Sequence, residues 1–311
     1  MSVLFPHFRN LFKLLLSTPM ISGALVVLGL SSQLQAQDKA GRFEYEETLK
    51  YCIDIHGNPG FNNNNKIGSC TEFKYKEFDW LFKFRLFFHK DLRGSSFMEV
   101  QQEGIPLKKK NLEGCKFNGA ILRSAHFEKS RLAFVDFRHA DLDSAHLNGL
   151  TAMNGNYDRA NLYGTNFSLS NLDNSTFKQA TAMALDMTGV HCQNCDFTQA
   201  NLSKAKLSNG TFVDASFAQV NFQFTNLQGS KLTGADFSGA DLTSAILAGA
   251  NLKGANVNGA LFHHADLRGT DLSEVKMEDA KWRFAKFNKK TVLPFDAKLA
   301  VEEYGMVFSE N

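Results

Sequence analysis

Cys192-Gln193-Asn194-Cys195 has the spacing of a metal-binding or redox-active cysteine pair. Such a pair works when its thiolates are exposed in an electropositive setting. His263 and His264 are adjacent, and adjacent residues of an extended chain point in divergent directions, so they are awkward as joint ligands of one ion. Towards the N-terminus Glu46, Glu47, Asp54 and His56 lie near one another in sequence, but no spacing among them supports a mechanism. Asp136, Asp141, Asp236, Asp241, Asp266 and Asp271 recur at regular intervals and single out no catalytic pair. No phosphate loop, nucleophile elbow or zinc-helix motif occurs. Asn166-Phe167-Ser168, Asn201-Leu202-Ser203 and Asn209-Gly210-Thr211 match the glycosylation pattern as a by-product of composition. We therefore expect no enzyme, and no catalytic, cofactor-binding or metal-ligating residue.

The regular intervals come from a frame. From Leu92 to Val292 every fifth residue is Leu or Phe, except Gln102, Ala152, Tyr157, Ala182, Met187, Cys192, Val257, Met277, Trp282 and Val292. Only Gln102 among these is polar. The residue two before each centre is mostly small, as at Ala120, Ala125, Ala140, Ala160, Ser170, Ala200, Ala215, Ala260 and Ala280. By this reading no insertion or deletion breaks the frame up to Val292. A period of five fits neither a helix nor a strand, so it belongs to a repeating coil that buries one residue type per segment.

The stretch Ala235-Asp236-Phe237-Ser238-Gly239-Ala240-Asp241-Leu242-Thr243-Ser244 is one such pattern written twice, and it continues through Ala250-Asn251-Leu252 and Ala265-Asp266-Leu267. It resembles the repeat of the pentapeptide-repeat proteins, over roughly two thirds of the chain. The resemblance implies an all-β fold, a right-handed quadrilateral parallel β-helix in which four pentapeptides make one coil. The central Leu or Phe and the small residue two before it would point inward, each large centre stacking on its counterpart twenty residues later. At roughly 4.8 Å per coil, about ten coils would make a rod roughly 48 Å long. In this frame Cys192 is a centre and Cys195 the small inward residue of the next unit. Both are expected as buried, inert thiols, like Cys115.

Four segments follow. Residues 1–36 read as an export signal: Arg9 and Lys13, an apolar run from Leu14 to Leu30, and a cleavage site at Leu34-Gln35-Ala36. The alternative is an uncleaved membrane anchor at residues 14–30. Residues 37–90 do not repeat. Cys52 and Cys70 bracket a loop-like stretch and either form a disulfide or stay as separate buried thiols. Phe82, Phe84, Leu86 and Phe88 alternate with polar residues as a half-buried strand. This segment is either an N-terminal cap, which a solenoid end needs, or a small binding module. Residues 91–292 are the repeat, with degenerate centres between 150 and 195 where a bend or narrowing is expected. In residues 293–311 Asp296 is placed to cap a short helix. That helix carries an apolar stripe of Ala297, Ala300, Val301 and Tyr304, and Gly305 stops it. Met306, Val307 and Phe308 would then cover the last coil.

The 34 Lys+Arg against 32 Asp+Glu give a formal net charge of +2, which offers no reason to expect nucleic acid. The 29 Phe are accounted for mostly as stacked interior residues. On one side of the coil Tyr163, Met183, Phe224, Leu261 and Phe284 fall at outward slots and form a candidate protein-binding strip. The expected function is a non-enzymatic, exported scaffold, periplasmic or secreted, that binds a protein through a rigid surface. Membrane contact is expected only if residues 14–30 are retained. Some pentapeptide-repeat proteins resemble DNA in size and charge and protect topoisomerases. That alternative needs an acidic surface and a cytoplasmic address, and both the charge and the export signal stand against it. A third reading places an enzyme activity in residues 37–90.

Overall fold

The structure, a computed structural model, describes residues 91–310. Residues 91–287 form a parallel β-helical solenoid with four ladders per coil. Each ladder joins residues twenty apart, as in Asp91↔Asn111, Ser96↔Lys116, Gln101↔Ile121 and Pro106↔His126. Between ladders the chain turns a corner at every fifth residue, which takes a left-handed backbone, from φ 52° at Ser124 to φ 71° at Gly119. Glycine accepts this conformation freely, and Asn154, Asn174, Asn194 and Asn209 are the side chains that tolerate it best. None of the residues at these corners is Val, Ile or Thr, because a β-branched side chain is the one most strained there.

The interior is built as the frame requires. The centres and the small residues two before them are almost all buried from Leu92 to Phe287, including the polar centre Gln102. One column of centres forms a continuous aromatic stack. Phe97, Phe117, Phe137, Tyr157, Phe177, Phe197, Phe217 and Phe237 follow one another with ring centroids between 4.6 Å (Phe177–Phe197) and 5.4 Å (Phe137–Tyr157). Each such pair adds about 0.5–1.5 kcal/mol beyond its burial. Where the small slot holds a hydroxyl, the side chain bonds the framework. Ser130, Thr165, Ser170, Ser175, Thr225 and Thr270 each donate to a carbonyl 23 residues earlier, which lets a polar group sit in the core without cost. The ladder runs without interruption through residues 150–195.

The frame ends before Val292. Asp271 pairs with Val292, one residue later than the period requires. The extra residue lies in the turn after Phe287, where Thr291 Oγ1 donates to the Leu267 carbonyl and so takes over the small inward slot. Val292 is thereby moved to the ladder position and is 49% exposed, while Leu293 packs against the core in its place.

Three short elements follow or adjoin this point: strand β1 (Lys286–Phe287), helix α1 (Ala297–Glu302) and strand β2 (Val307–Phe308). Asp296 has extended backbone and accepts from the Lys298 amide at 2.7 Å, so it is the helix N-cap. Gly305, at φ 61°, redirects the chain so that β2 pairs in parallel with β1, Lys286 opposite Val307 and Phe287 opposite Phe308. The expected apolar stripe does not form: Ala297 and Val301 are exposed, and only Ala300 is buried. A six-residue helix completes fewer than two turns and presents one residue to a flat coil end. Contact with the solenoid comes instead from Phe295, packed against Trp282 and Tyr304, and from buried Met306.

The export signal, the Cys52–Cys70 pair, the strand of Phe82 to Phe88 and the segment 37–90 lie outside the described residues. Among the described residues no helix is long and apolar enough to cross a membrane.

Candidate functional site

Function on a solenoid falls to what the framework leaves free. The ladder slot, one residue before each centre, is not free where it holds Asp or Asn. In most units that hold Asp or Asn there, Oδ1 accepts the backbone amide two residues on, as in Asp136 to Arg138 (3.1 Å), Asn166 to Ser168 (2.8 Å), Asp236 to Ser238 (3.0 Å) and Asp271 to Ser273 (2.9 Å). This Asx turn explains why the repeat prefers these two residues. The Arg268 side chain bonded to Asp266 holds that carboxyl below the ordinary aspartate range, against the effect of burial. The Ser273 hydroxyl and amide do the same for Asp271. Burial pushes the Asp136 carboxyl up, but the Arg138 side chain and amide outweigh it, and the group is lowered. These carboxylates are ionised acceptors committed to turns.

The five residues of the candidate strip lie on the side centred on Leu162, Ala182, Phe222, Phe262 and Trp282. Tyr163, Phe224 and Phe284 are exposed, while Met183 and Leu261 are half-buried. Phe284 stacks on His264, with centroids 5.0 Å apart, and lies under the Arg283 guanidinium at 4.8 Å. His264 is thus engaged with a ring, and it makes no pair with His263. Lys204 and Ser244 stand at the corners of the intervening coils, so the apolar residues form separate clusters along one side. Phe134 and Leu169, at 61% and 75% exposed, project from other sides.

Cys192 and Cys195 are buried as expected, but they are not free thiols: they form a disulfide. Cys192 is the last inward residue of one side and Cys195 the first of the next. The corner at Asn194, φ 54°, turns the chain between them so that both side chains enter the same interior angle, with Cα atoms 5.3 Å apart. That is within bridging range. The period of five carries no distance between slots on either side of a corner, so it does not reveal the bond. Cys115 is buried, and its Sγ donates to the Leu92 carbonyl at 3.0 Å.

One cluster escaped sequence reasoning. His126 and His146 occupy the ladder slot of consecutive coils, and their rings stack at 4.7 Å and 5°. Glu128, two residues after His126, places Oε1 3.2 Å from His126 Nδ1 and 2.9 Å from Lys108 Nζ. One ligand atom of each of His126, Glu128 and His146 lies within 4.8 Å of the others. A search at twenty-residue spacing would have found the two histidines; a search along the chain cannot.

The model of the pentapeptide-repeats family matches eight copies over residues 111–149, 186–223, 212–249, 221–259 and 245–281. No curated protein sequence matches. Among solved structures, the chain is similar to HetL, a pentapeptide repeat protein involved in heterocyst differentiation regulation from the cyanobacterium Nostoc sp. strain PCC 7120. The identity is 22% over 69% of this chain and 95% of that one, with a TM-score of 0.27. QnrB1, a plasmid-mediated fluoroquinolone resistance protein, is 18% identical over 71% of this chain and 92% of that one, TM-score 0.32. A pentapeptide repeat protein of the Arabidopsis thaliana thylakoid lumen is 26% identical over 34% of this chain and 68% of that one, TM-score 0.25.

Proposed function

Since the chain belongs to the pentapeptide-repeat family, we propose that it is a non-enzymatic scaffold that binds a protein partner along one side of its solenoid. The observation that carries this reading is the unbroken ladder on all four sides from Asp91 to Val292. It holds every outward side chain in a fixed column, so a partner meets a pre-formed surface and little ordering cost is incurred on binding. The Asp and Asn side chains are spent on turns, which leaves the two corner-side positions of each unit for recognition. The side carrying Tyr163, Phe224 and Phe284 has the aromatic anchors that dominate protein interfaces. In this reading the solenoid is right-handed, and residues 293–310 close its C-terminal end. The segment 1–36 exports the chain.

Photocrosslinking groups placed at Tyr163 and Phe224 in the native host test the surface. A discrete adduct should form there and not from Asn154 or Asn174 on the opposite side, and an adduct from a group at Lys204, on the same side, should vanish when Tyr163, Met183 and Phe224 are all replaced by Ser. Equal adducts from both sides, or the same adduct from the triple variant, would refute the assignment. Export is tested separately by sequencing the N-terminus of the mature chain: a start near Gln37 supports it, and a full-length cytosolic product overturns it.

A further inference from the structure

We propose that His126, Glu128 and His146 form a binding site for one divalent transition-metal ion, of which Zn²⁺ is the representative. Two imidazoles and a carboxylate are a donor set that suits Zn²⁺ and its first-row neighbours. With bonds of about 2.0–2.2 Å, two ligand atoms on a tetrahedral ion lie about 3.3–3.6 Å apart. His126 Nδ1 and Glu128 Oε1 already stand at 3.2 Å, and all three donors lie within 4.8 Å. The remaining closure is a matter of side-chain rotation. The two rings are parallel, so their in-plane lone pairs run side by side and must tilt towards each other to share an ion. The backbone beneath them does not need to move. The His146 amide donates to Ala125 and its carbonyl accepts from Phe127, which fixes the two rungs at ladder spacing.

Glu128 gives the site a reason to take a cation. Its Oε2 is buried and has no hydrogen-bond partner, and a buried carboxylate oxygen left unpaired carries a desolvation cost that a cation removes. Burial is the largest single influence and pushes the Glu128 carboxyl up, but the hydrogen bonds from Lys108, the Glu128 amide and His126 and the charge of Lys108 together outweigh it, and the group is lowered. Lys108 is also the competitor. Its ammonium holds Oε1, and the ion either displaces it or binds through Oε2 while Lys108 remains on the other oxygen. Three protein donors leave a fourth coordination position, the arrangement of an open site rather than a closed structural one. The ion would tie two adjacent coils together and offer a coordination position to a donor from outside the chain.

The test uses the full chain, stripped with a chelator and titrated with ZnCl₂ by calorimetry and with Co²⁺ by visible absorption. His126→Asn and His146→Asn are suitable variants because the same slot of the next coil is natively Asn166, and the next coils of that ladder continue through Asp186, Lys206 and Asn226. The framework thus accepts amides there. Binding of one equivalent, weakened at least tenfold in each variant and unaffected by His263→Asn with His264→Asn, is the expected result. The Co²⁺ spectrum should show the intense visible bands of a four-coordinate site in the wild type and lose them in both variants. Binding retained in the His126→Asn/His146→Asn double variant, or no binding by the wild type, would overturn the proposal.

Discussion

Replacing Tyr157 by Phe should stabilise the protein. Tyr157 is a fully buried centre in a column of phenylalanines, and its hydroxyl has no hydrogen-bond partner. Burial alone pushes its ionisation far above the ordinary tyrosine range. The ring itself is well placed: it stacks on Phe177 at 4.7 Å and 5°, stacks on Phe137 at 5.4 Å and meets Phe167 edge-on at 5.3 Å. Phe keeps all three contacts and removes only the unpaired oxygen. A buried polar group without a partner costs about 1–3 kcal/mol, and that is the expected gain. For a unit of this size the melting temperature rises by roughly 2–4 °C per kcal/mol. Urea unfolding followed by circular dichroism at neutral pH measures it. Alkaline pH supplies an independent check. The unfolded tyrosine ionises near pH 10, whereas the folded one is held neutral. Above that pH the unfolded state has released a proton that the folded state retains, so stability falls as pH rises. The Phe variant should lose this component of the slope. A Phe variant that is equally or less stable would refute the reasoning: the hydroxyl would then have a partner inside the solenoid, such as a buried water, and the core would not be dry.

Gly155 sits in the small inward slot just before Tyr157, and a methyl group there would come within 2.7 Å of the Tyr157 ring. Gly155→Ala should therefore destabilise by about 1–3 kcal/mol through overpacking, read by the same urea titration. Peptide mapping after alkylation in denaturant without reductant should find Cys192 and Cys195 protected as a linked pair; alkylated Cys192 would contradict the disulfide. Acid should weaken the protein through the turn aspartates. Asp266 and Asp271 are lowered in the folded chain, so their contribution is present above the ordinary aspartate pKa of about 3.9 and is lost as pH falls through their folded values. Asp266→Asn keeps an acceptor for the Arg268 amide but has no charge to lose, and it should flatten that part of the acid limb in a pH series of melting temperatures.

The solenoid was legible because its period is written in one dimension. Each pentapeptide repeats the same demands: a small residue where sides converge, Asp or Asn where a turn amide needs an acceptor, Leu or Phe where the core is filled, and no β-branched residue at the left-handed corner. These are local requirements, so counting by five recovers the inward columns, the aromatic stack and the structural role of the aspartates. The N-cap at Asp296 and the turn at Gly305 were legible for the same reason.

What escaped that reading depends on distance between positions that the period treats separately. A single extra residue after Phe287 exchanges the roles of Val292 and Leu293, and only the pairing of Asp271 with Val292 reveals it. Whether α1 buries a stripe or a single alanine depends on how a six-residue helix meets a coil end. Cys192 and Cys195 were correctly placed in the interior, but their bond follows from the corner at Asn194 that brings two sides together. His126 and His146 are twenty residues apart in the chain and one rung apart in space, because the coil returns to its own ladder after four sides. Up to Phe287 the sequence by itself determined the coil and the direction each side chain faces; the tertiary structure alone decided which of them meet, since contact here is made across corners and between coils.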